Sequence, residues 1–335
     1  MRQDWQHLDE SDVRVRPGRR SSRPRSKNRP EHADARSAMV VGVDRGRWTC
    51  VLDSDPESRI TAMRARELGR KSAVIGDRVD VIGDLSGKPG TLARMVRVAR
   101  RDSVLRRTAD DTDPYERVVV ANAEQLVIVC ALAAPQPRAG FIDRALVAAY
   151  AGGLRPVLCL TKADLKGPED VVSTYAHLDL SIVVTRSDRA PDALREQLAG
   201  RVSALVGHSG VGKSTLINIL IPQARRVTGE VSAIGKGRHT STSAVALPLP
   251  DGGWAVDTPG IRSFGLAHVT SDDVLDAFPD LSDGAEDCPS GCRHLGAPHD
   301  SGCGLERLSE ADPARARRLE SLRRLLRSHA GIEEE

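Results

Sequence analysis

The octet GHSGVGKS, residues 207–214, constrains this chain more than any other stretch, because it fits the pattern G-x-x-x-x-G-K-[ST]. It follows a predicted strand, SALVG, and opens a predicted helix, KSTLINILI; this context disfavours a glycine-rich turn without a ligand. The glycines let backbone N–H groups turn towards phosphate oxygens, and the N-terminus of the helix adds partial positive charge. We therefore predict a phosphate-binding loop in which Lys213 reaches the outer phosphates and Ser214 binds Mg²⁺. The predicted nucleotide-contacting residues are Gly207, His208, Ser209, Gly210, Val211, Gly212, Lys213, Ser214 and Thr215.

The segments around this loop predict an α/β domain. From residue 124 onwards, apolar strands such as LVIVCAL, PVLCL and SIVVT alternate with the helical patterns FIDRALVAAYAGG and PDALREQLAG, and the strands SAVALPL and GGWAVD follow. Continuous apolar strands separated by helices predict a parallel sheet covered on both faces. Beyond residue 271 the sequence becomes helical around a Cys/His loop and ends in the basic helix PARARRLESLRRLLRSH.

The N-terminal part has a different character. Residues 39–105 contain the short β-like runs MVVGVD, WTCVLD, RVDVIGD and TLARMVRVA, which predict a small barrel of roughly five strands. Such barrels often bind oligonucleotides, but Trp48 is the only aromatic residue of the segment, so the pattern supports the shape more than RNA binding. Before the barrel, residues 14–29 carry eight Arg or Lys and no acid. They predict a disordered tail, which is either simply solvated or an arm that contacts RNA phosphates.

The tetrapeptide TKAD, residues 161–164, follows the predicted strand PVLCL and indicates which base is bound. The carboxylate of Asp164 can accept hydrogen bonds from N1–H and N2–H₂ of guanine, which adenine does not offer, and the stem of Lys162 can pack along the base. Thr161 stands beside them at the end of the strand. On the same sheet as a phosphate loop, this motif points to GTP.

The motif DTPG, residues 257–260, ends the predicted strand WAVD at the carboxyl edge of the sheet, where ligands bind in such folds. We expect Asp257 to hold Mg²⁺ through water and the Gly260 N–H to meet the γ-phosphate. Between the phosphate loop and DTPG lies the polar loop GKGRHTSTS, residues 235–243, in which Thr240 is expected to complete the Mg²⁺ shell. Solvation of a loop explains Ser241 and Thr242 equally well.

Three of the six cysteines, Cys288, Cys292 and Cys303, cluster near the C-terminus with His294 among them. Three thiolates and one imidazole suit a tetrahedral structural Zn²⁺ that keeps no open position for catalysis. His299 is left open as an alternative to His294. No apolar run is long enough to span a membrane and the N-terminus lacks a secretory signal, so we expect the protein to be in the cytoplasm. In that reducing compartment, clustered cysteines indicate a metal site or, as the alternative, free thiols.

The order of these motifs is unusual, because TKAD precedes the phosphate loop, whereas a base-reading motif normally comes near the end of a GTPase. The order therefore indicates a circular permutation. Over residues 39–308 the chain resembles the ribosome small-subunit-dependent GTPase A (RsgA) family through ANAEQLVIVCA, FIDRALVAA, TKADL, LVGHSGVGKSTLIN, GKGRHTSTSAVAL, DTPGIRSFG and the Cys/His loop. The resemblance implies an oligonucleotide-binding-fold (OB-fold) barrel, a permuted α/β GTPase domain and an α-helical zinc domain.

The resemblance also implies an activity. Members of this family act late in maturation of the small (30S) ribosomal subunit, and the subunit stimulates their slow GTP hydrolysis. The implied ligands are GTP or GDP, Mg²⁺ and one structural Zn²⁺, and the implied partner is the small subunit with its rRNA. DTPG leads directly into the Cys/His region, so loss of the γ-phosphate can be transmitted to that region. We expect a cytoplasmic monomer with no membrane association.

The chain departs from the family pattern at the base site. Thr161 replaces the usual Asn, which is expected to remove one polar contact. VVTRSD matches poorly where the family has a second base-contacting loop, in which Thr185 is the candidate residue. Ile261 follows DTPG where many GTPases carry a water-positioning Gln, so hydrolysis needs another group. The resemblance indicates His239 as the catalytic residue; the alternative is a loop histidine that contacts only solvent or RNA.

The sequence thus predicts four regions: a basic tail at residues 1–38, an OB-fold barrel at 39–108, a permuted GTPase domain at 109–270 and a zinc-binding helical domain at 271–335. The net charge is only +3, so RNA contacts must rest on local basic patches. Two other functions stay open. One is a P-loop ATPase or kinase, against which Asp164 argues, and the other is a nucleotide-gated RNA-binding module with negligible turnover, which Ile261 permits.

Overall fold

A closed barrel occupies the N-terminal part of the computed structural model, which describes residues 32–44, 46–68, 73–108, 116–223, 244–258, 264–310 and 312–332. β1 pairs with both β2 and β4, and β3 pairs in parallel with β5, so the order β1-β2-β3-β5-β4 returns to β1. These strands are β1 (Arg36–Asp44), β2 (Arg47–Leu52), β3 (Asp55–Arg64), β4 (Arg78–Gly83) and β5 (Ala93–Val98), with a 3₁₀ turn at Arg66–Leu68. The predicted five-stranded barrel is confirmed.

Apolar residues alternate along each strand, so the side chains on one face of the strand point into the barrel. Val40, Ile60 and Met95 are buried in this core. Trp48 is also buried, and its Nε1 donates to the carbonyl oxygen of Ala73 at 2.8 Å. Because this ring packs inside the barrel, it is not available for stacking on a nucleic-acid base.

A hairpin of β6 (Val104–Arg107) and β7 (Arg117–Ala121) follows the barrel. This hairpin was not predicted from the sequence, because its three arginines interrupt the apolar alternation. Ile75 of the barrel forms a parallel bridge with Val120, so the hairpin adjoins the barrel. Its strands come from either side of position 108, where a domain boundary was predicted; the boundary itself stays a prediction.

Alternating strands and helices form the central sheet and the layers that cover it. They are β8 (Gln125–Ala131), α1 (Ala139–Ala151), β9 (Arg155–Thr161), α2 (Glu169–Tyr175), β10 (Ser181–Val184), α3 (Asp192–Leu198), β11 (Arg201–Val206), α4 (Lys213–Leu220), β12 (Val245–Pro248) and β13 (Gly253–Asp257). The pairings in the order β10-β9-β8-β11-β13 are all parallel.

Strand β8 illustrates why helices cover both faces of this sheet, since all its residues are buried. Leu126 and Ile128 belong to a core shared with α1. Val127 and Val129, which point to the opposite face, belong to a second core shared with α3 and α4. The predicted α/β sheet with two covered faces is therefore confirmed.

One strand does not follow the predicted parallel arrangement. β12 runs antiparallel to β13, because the short turn at residues 249–252 allows only a direct return. Gly252 in this turn and Gly253 at the start of β13 have φ values of 80° and 85°, which favour glycine. Val245 of β12 also pairs with Gly42 of β1, so the central sheet continues into the barrel.

The C-terminal part is helical. It contains α5 (Ser271–Leu275), α6 (Pro279–Ser282), a 3₁₀ helix (Asp283–Asp287), α7 (Gly304–Glu310) and α8 (Pro313–Ala330). Asp312 caps the N-terminus of α8 by accepting from the Ala314 N–H, and Leu319, Leu322 and Leu326 are buried in the core that α8 shares with α1. Within the described ranges, no helix is both long enough and apolar enough to cross a bilayer.

Candidate nucleotide site and metal cluster

The phosphate loop connects β11 to α4, and its glycines fit its backbone. Gly210 and Gly212 have φ values of 83° and 95°, a region in which side chains cause strain. A Cβ at Gly207 would lie 2.6 Å from the carbonyl oxygen of Val129 on β8. The loop therefore depends on glycine at three positions and ends at Lys213, the first residue of α4. Of the other predicted loop residues, Val211 is buried, His208 is half-buried, and Ser209, Ser214 and Thr215 are exposed.

Lys213 and Asp257 meet at the carboxyl edge of the sheet. The ammonium group of Lys213 donates to Oδ1 of Asp257, and both side chains are largely buried. Asp257 ends β13, the strand next to β11. The hydroxyl of Thr258 donates to the carbonyl oxygen of Leu205 at 2.5 Å, which fixes the start of the DTPG motif against β11.

The TKAD motif contacts the phosphate loop directly. Thr161 ends β9, and its hydroxyl donates to the carbonyl oxygen of Val211 at 2.5 Å. Lys162 has a left-handed conformation, with φ of 60°, and its Nζ donates to the carbonyl oxygens of Ala134 and Gly210, the latter at 2.9 Å. Thr161, which replaces the usual Asn, therefore keeps a polar link between the base motif and the phosphate loop.

Asp164 is held by a residue that the sequence analysis missed. The backbone N–H of Ser187 donates to Oδ1 of Asp164 at 2.9 Å, and the Ser187 hydroxyl donates to Oδ2 at 2.6 Å. These hydrogen bonds, with a smaller effect from the charge of Arg186, lower the pKa of Asp164, so its carboxylate is an acceptor at neutral pH. Thr185 is buried, and its hydroxyl donates to the carbonyl oxygen of Leu160 at 3.3 Å instead of facing Asp164. The available signal for Ser187 was its place just after β10, the neighbour of β9.

Three predicted site residues, His239, Thr240 and Gly260, lie outside the described residues, as do Ile261 and the basic stretch 14–29. Their roles stay predictions. The described part of the site lies at the ends of β9, β11 and β13. These strands are parallel, so their carboxyl ends share one edge of the sheet.

The predicted metal ligands come together in the C-terminal region. Nδ1 of His294 lies 3.5, 3.6 and 3.7 Å from the Sγ atoms of Cys288, Cys292 and Cys303, and Sγ of Cys288 lies 3.9 Å from Sγ of Cys303. Tetrahedral zinc with bonds of about 2.3 Å to sulfur and about 2.0 Å to nitrogen separates its ligand atoms by about 3.5–3.8 Å. The four groups therefore fit one zinc ion, and His299 is not among them.

Groups around the cluster support metal-bound thiolates and one imidazole tautomer. The backbone N–H groups of Gly304 and His294 point at Sγ of Cys288 and Cys292, at 3.2 and 3.4 Å. Nε2 of His294 lies 3.4 Å from Oδ1 of Asp272, a residue that the sequence analysis did not identify; this carboxylate leaves Nδ1 free to coordinate. Burial raises the pKa of Cys292 to about 12, so a thiolate there requires the charge of a cation beside it.

These features define a class of protein. A phosphate loop that follows the base-reading motif in the chain, on an α/β sheet with a leading five-stranded barrel and a trailing Cys₃His cluster, is a circularly permuted P-loop fold with an OB-fold barrel. The family model described as RsgA GTPase matches residues 98–267. The chain belongs to the RsgA GTPase family.

Relatives named small ribosomal subunit biogenesis GTPase RsgA align with much of the chain. The relative from Pseudomonas putida is 40% identical over 63% of this chain and 64% of its own length, so this alignment spans less than two thirds of that relative. The relative from Gemmatimonas aurantiaca is 35% identical over 85% of this chain and 94% of its own length.

Two solved structures resemble the described fold. The crystal structure of YjeQ from Thermotoga maritima, at 26% identity, covers 89% of this chain and 100% of its own, with a TM-score of 0.63. The structure of YloQ, a circularly permuted GTPase, covers 92% of this chain and 99% of its own with a TM-score of 0.64; at 18% identity it is a likeness of fold alone. The predicted fold class is confirmed.

Proposed function

We propose that the chain binds GTP with Mg²⁺ and hydrolyses it to GDP and phosphate. We propose further that the small ribosomal subunit stimulates this reaction and that GTP hydrolysis determines when the protein is released from the maturing subunit. The observation that carries the proposal is the convergence of Asp164, Lys213 and Asp257 at or just beyond the ends of parallel strands of one sheet. Membership of the RsgA GTPase family and the names of the relatives support it.

Asp164 is the guanine-recognising residue in this proposal. Its ionised carboxylate accepts from N1–H and N2–H₂ of the base, while Ser187 donates to both oxygens and so fixes the plane of the carboxylate. The stem of Lys162 packs along the base. Thr161 and Lys162 also hold the phosphate loop, so base and phosphates are bound by one connected unit.

The phosphate loop binds the phosphate groups through backbone N–H groups and Lys213. When nucleotide binds, Lys213 would leave Asp257 for the outer phosphates. Ser214 and Thr240, with Asp257 through water, are the residues that would hold Mg²⁺. Held by these residues, Mg²⁺ would supply positive charge to neutralise the charge that develops on the phosphate oxygens during transfer to water. The Gly260 N–H holds the γ-phosphate.

His239 orients the attacking water in this proposal, because Ile261 has no hydrogen-bonding side chain. Docking on the subunit brings His239 to that water, which explains why the subunit stimulates hydrolysis.

The other modules supply the RNA contacts. One structural Zn²⁺ would be held by Cys288, Cys292, His294 and Cys303. The barrel and the C-terminal zinc-binding domain bind rRNA from two sides. We propose the division into residues 1–38, 39–108, 109–270 and 271–335, and a monomer in the cytoplasm.

A change of base preference tests the proposed base site. Asp164→Asn replaces an acceptor with an amide donor, so we expect GTP affinity to fall about 100-fold while XTP, whose base offers a carbonyl at that position, gains affinity. Asp188→Asn, which changes a nearby exposed carboxylate, should change neither the GTP affinity nor the XTP affinity. Titration with fluorescent nucleotides measures both, and wild-type protein that binds ATP as tightly as GTP would instead indicate an ATPase or kinase.

Hydrolysis with and without small ribosomal subunits tests the reaction itself. We expect the subunit to raise kcat, and His239→Ala to remove about 100-fold or more of the stimulated rate. Turnover that stays flat when subunits are added would favour the nucleotide-gated RNA-binding module over a stimulated enzyme. Normal stimulated turnover by His239→Ala would exclude His239 as the catalytic residue.

A further inference from the structure

Phe141, in the first turn of α1, lies between two parts of the nucleotide site. Its ring centroid is 4.3 Å from that of His208, with the planes tilted by 46°, and 5.6 Å from that of Phe264, with a tilt of 42°. Phe141 and Phe264 are 4% and 5% exposed. The chain has only three phenylalanines, and two of them are used in this stack.

The two neighbours of Phe141 belong to different functional segments. His208 is the second residue of the phosphate loop, and Phe264 directly follows the sequence DTPGIRS. A ring that touches both makes the position of one segment depend on the other. Phe141 and Phe264 lie outside the motifs that the sequence assigns to nucleotide or metal binding.

The backbone around Phe264 is anchored on its other side. The carbonyl oxygen of Phe264 accepts from the Thr108 hydroxyl at 3.4 Å, and the N–H of Gly265 donates to the carbonyl oxygen of Arg106 at 3.3 Å. Nδ1 of His268 lies 2.6 Å from a carboxylate oxygen of Glu116. The β6–β7 hairpin and the residues beside it therefore bind the backbone of the chain after DTPG, while Phe141 packs against the Phe264 ring.

We propose that Phe141 is a positioning residue that couples the phosphate loop to the segment after DTPG, so that the site distinguishes GTP from GDP. GDP needs mainly the phosphate loop, whereas GTP also needs DTPG in place at the γ-phosphate. Removing the ring between His208 and Phe264 weakens the binding of GTP more than that of GDP. This inference rests on the proposed function, because it assumes that the site binds guanine nucleotides.

Nucleotide affinities of Phe141→Leu test the proposal. Leucine keeps the side chain apolar but removes the ring contacts, so we expect the Kd for a non-hydrolysable GTP analogue to rise about fivefold and that for GDP to rise less than about twofold. Phe264→Leu should reproduce this result from the other side of the stack. The double variant should be no weaker than the weaker single variant, since both changes break one contact.

Phe278→Leu is the matched control. Phe278 is as deeply buried as Phe141, but its ring faces Tyr150, at 6.0 Å, and the Arg318 guanidinium. We expect a similar loss of thermal stability and an unchanged ratio of the two affinities. A ratio that is unchanged in Phe141→Leu and in Phe264→Leu, or one that shifts equally in Phe278→Leu, overturns the inference. Wild-type protein that binds neither nucleotide would contradict the proposed function instead.

Discussion

The barrel and the C-terminal helices both pack against the central domain, but the atoms that form the two junctions differ. At the barrel junction the contacts involve the backbone: the N–H of Ala121 donates to the carbonyl oxygen of Ile75 at 2.8 Å, and the Asn122 side chain donates to that of Gly76 at 3.0 Å. A Cβ at Gly76 would lie 1.9 Å from the Ala121 carbonyl oxygen. The two backbones therefore meet at a distance that leaves no room for a side chain.

At the C-terminal junction the contacts are made by side chains. The hydroxyl of Tyr175 donates to Oδ1 of the buried Asp143 at 3.0 Å, and Nε of Arg324 lies 3.4 Å from the same oxygen. The Arg324 guanidinium also lies over the Tyr175 ring, 4.5 Å from its centroid. Tyr150 and Phe278 add an edge-to-face ring contact.

The difference separates a fixed attachment from an adjustable one. Backbone pairing at a glycine allows one arrangement, whereas packed side chains can change rotamer and shift as helices slide. DTPG leads into residues 264–275, where the C-terminal part begins, so we expect nucleotide-dependent change to appear there, ahead of the Tyr150–Phe278 contact, while the barrel follows the sheet as a rigid attachment.

The largest effect on stability is expected from removal of a metal ligand, His294, in the C-terminal part of the chain. His294→Ala takes away one of four ligands, so we expect zinc affinity to fall by more than about 100-fold and the C-terminal helices to lose stability, since a structural zinc contributes on the order of 10 kcal/mol. The zinc content of purified protein and its release to a chromogenic chelator measure this.

His299→Ala is the matched control for that change. His299 is exposed in the same loop and lies outside the cluster, so this variant should keep its zinc. Zinc loss from His299→Ala with retention by His294→Ala would reverse the ligand assignment.

The next effect is expected at the barrel junction. Gly76→Ala puts a Cβ into the Ala121 carbonyl at a φ of 85°, and we expect a loss of at least ~3 kcal/mol in the free energy of unfolding. Gly46→Ala has a similar φ, 79°, but no atom within 4 Å of the new Cβ, so it should cost only ~1 kcal/mol. Urea unfolding of both variants gives the comparison, and equal losses would show that the backbones at the barrel junction can separate.

A smaller effect is expected from the ion pair of the C-terminal junction. Arg324→Met deprives the buried Asp143 of a positive neighbour, and we expect a loss of ~2–3 kcal/mol. Arg315→Met, on the same helix, removes an exposed arginine that lies 3.9 Å from Asp312 and should cost less than ~0.5 kcal/mol. If thermal melts show the two variants to be equally stable, the Asp143–Arg324 contact does not hold this junction together.

Much of the fold could be predicted from sequence because local patterns determine it. The apolar run LVIVCAL gave β8, and GHSGVGKS gave the strand-loop-helix of the phosphate loop. The antiparallel direction of β12 was missed because its apolar pattern does not record direction, although the short turn at residues 249–252, visible in the sequence, requires it. The β6–β7 hairpin was missed because its strands are short and contain arginines.

The site was less predictable where it depends on contacts between distant segments. The three cysteines and His294 were predicted as ligands because they lie close together in the sequence, with His299 as the alternative to His294, and the structure brings the three cysteines and His294 together. Ser187, Asp272 and Phe141 were missed, because a serine, an aspartate or a phenylalanine has no recognisable pattern until the fold brings it to Asp164, His294 or His208.

Hydrogen exchange of the protein with GDP and with a non-hydrolysable GTP analogue tests the contrast between the junctions most directly. We expect exchange of the backbone amides in residues 264–275 and the first turn of α1 to differ between the two nucleotides. The amides of residues 75–77 and 118–122, at the barrel junction, should exchange equally in both. A nucleotide-dependent change confined to the barrel junction would contradict the account.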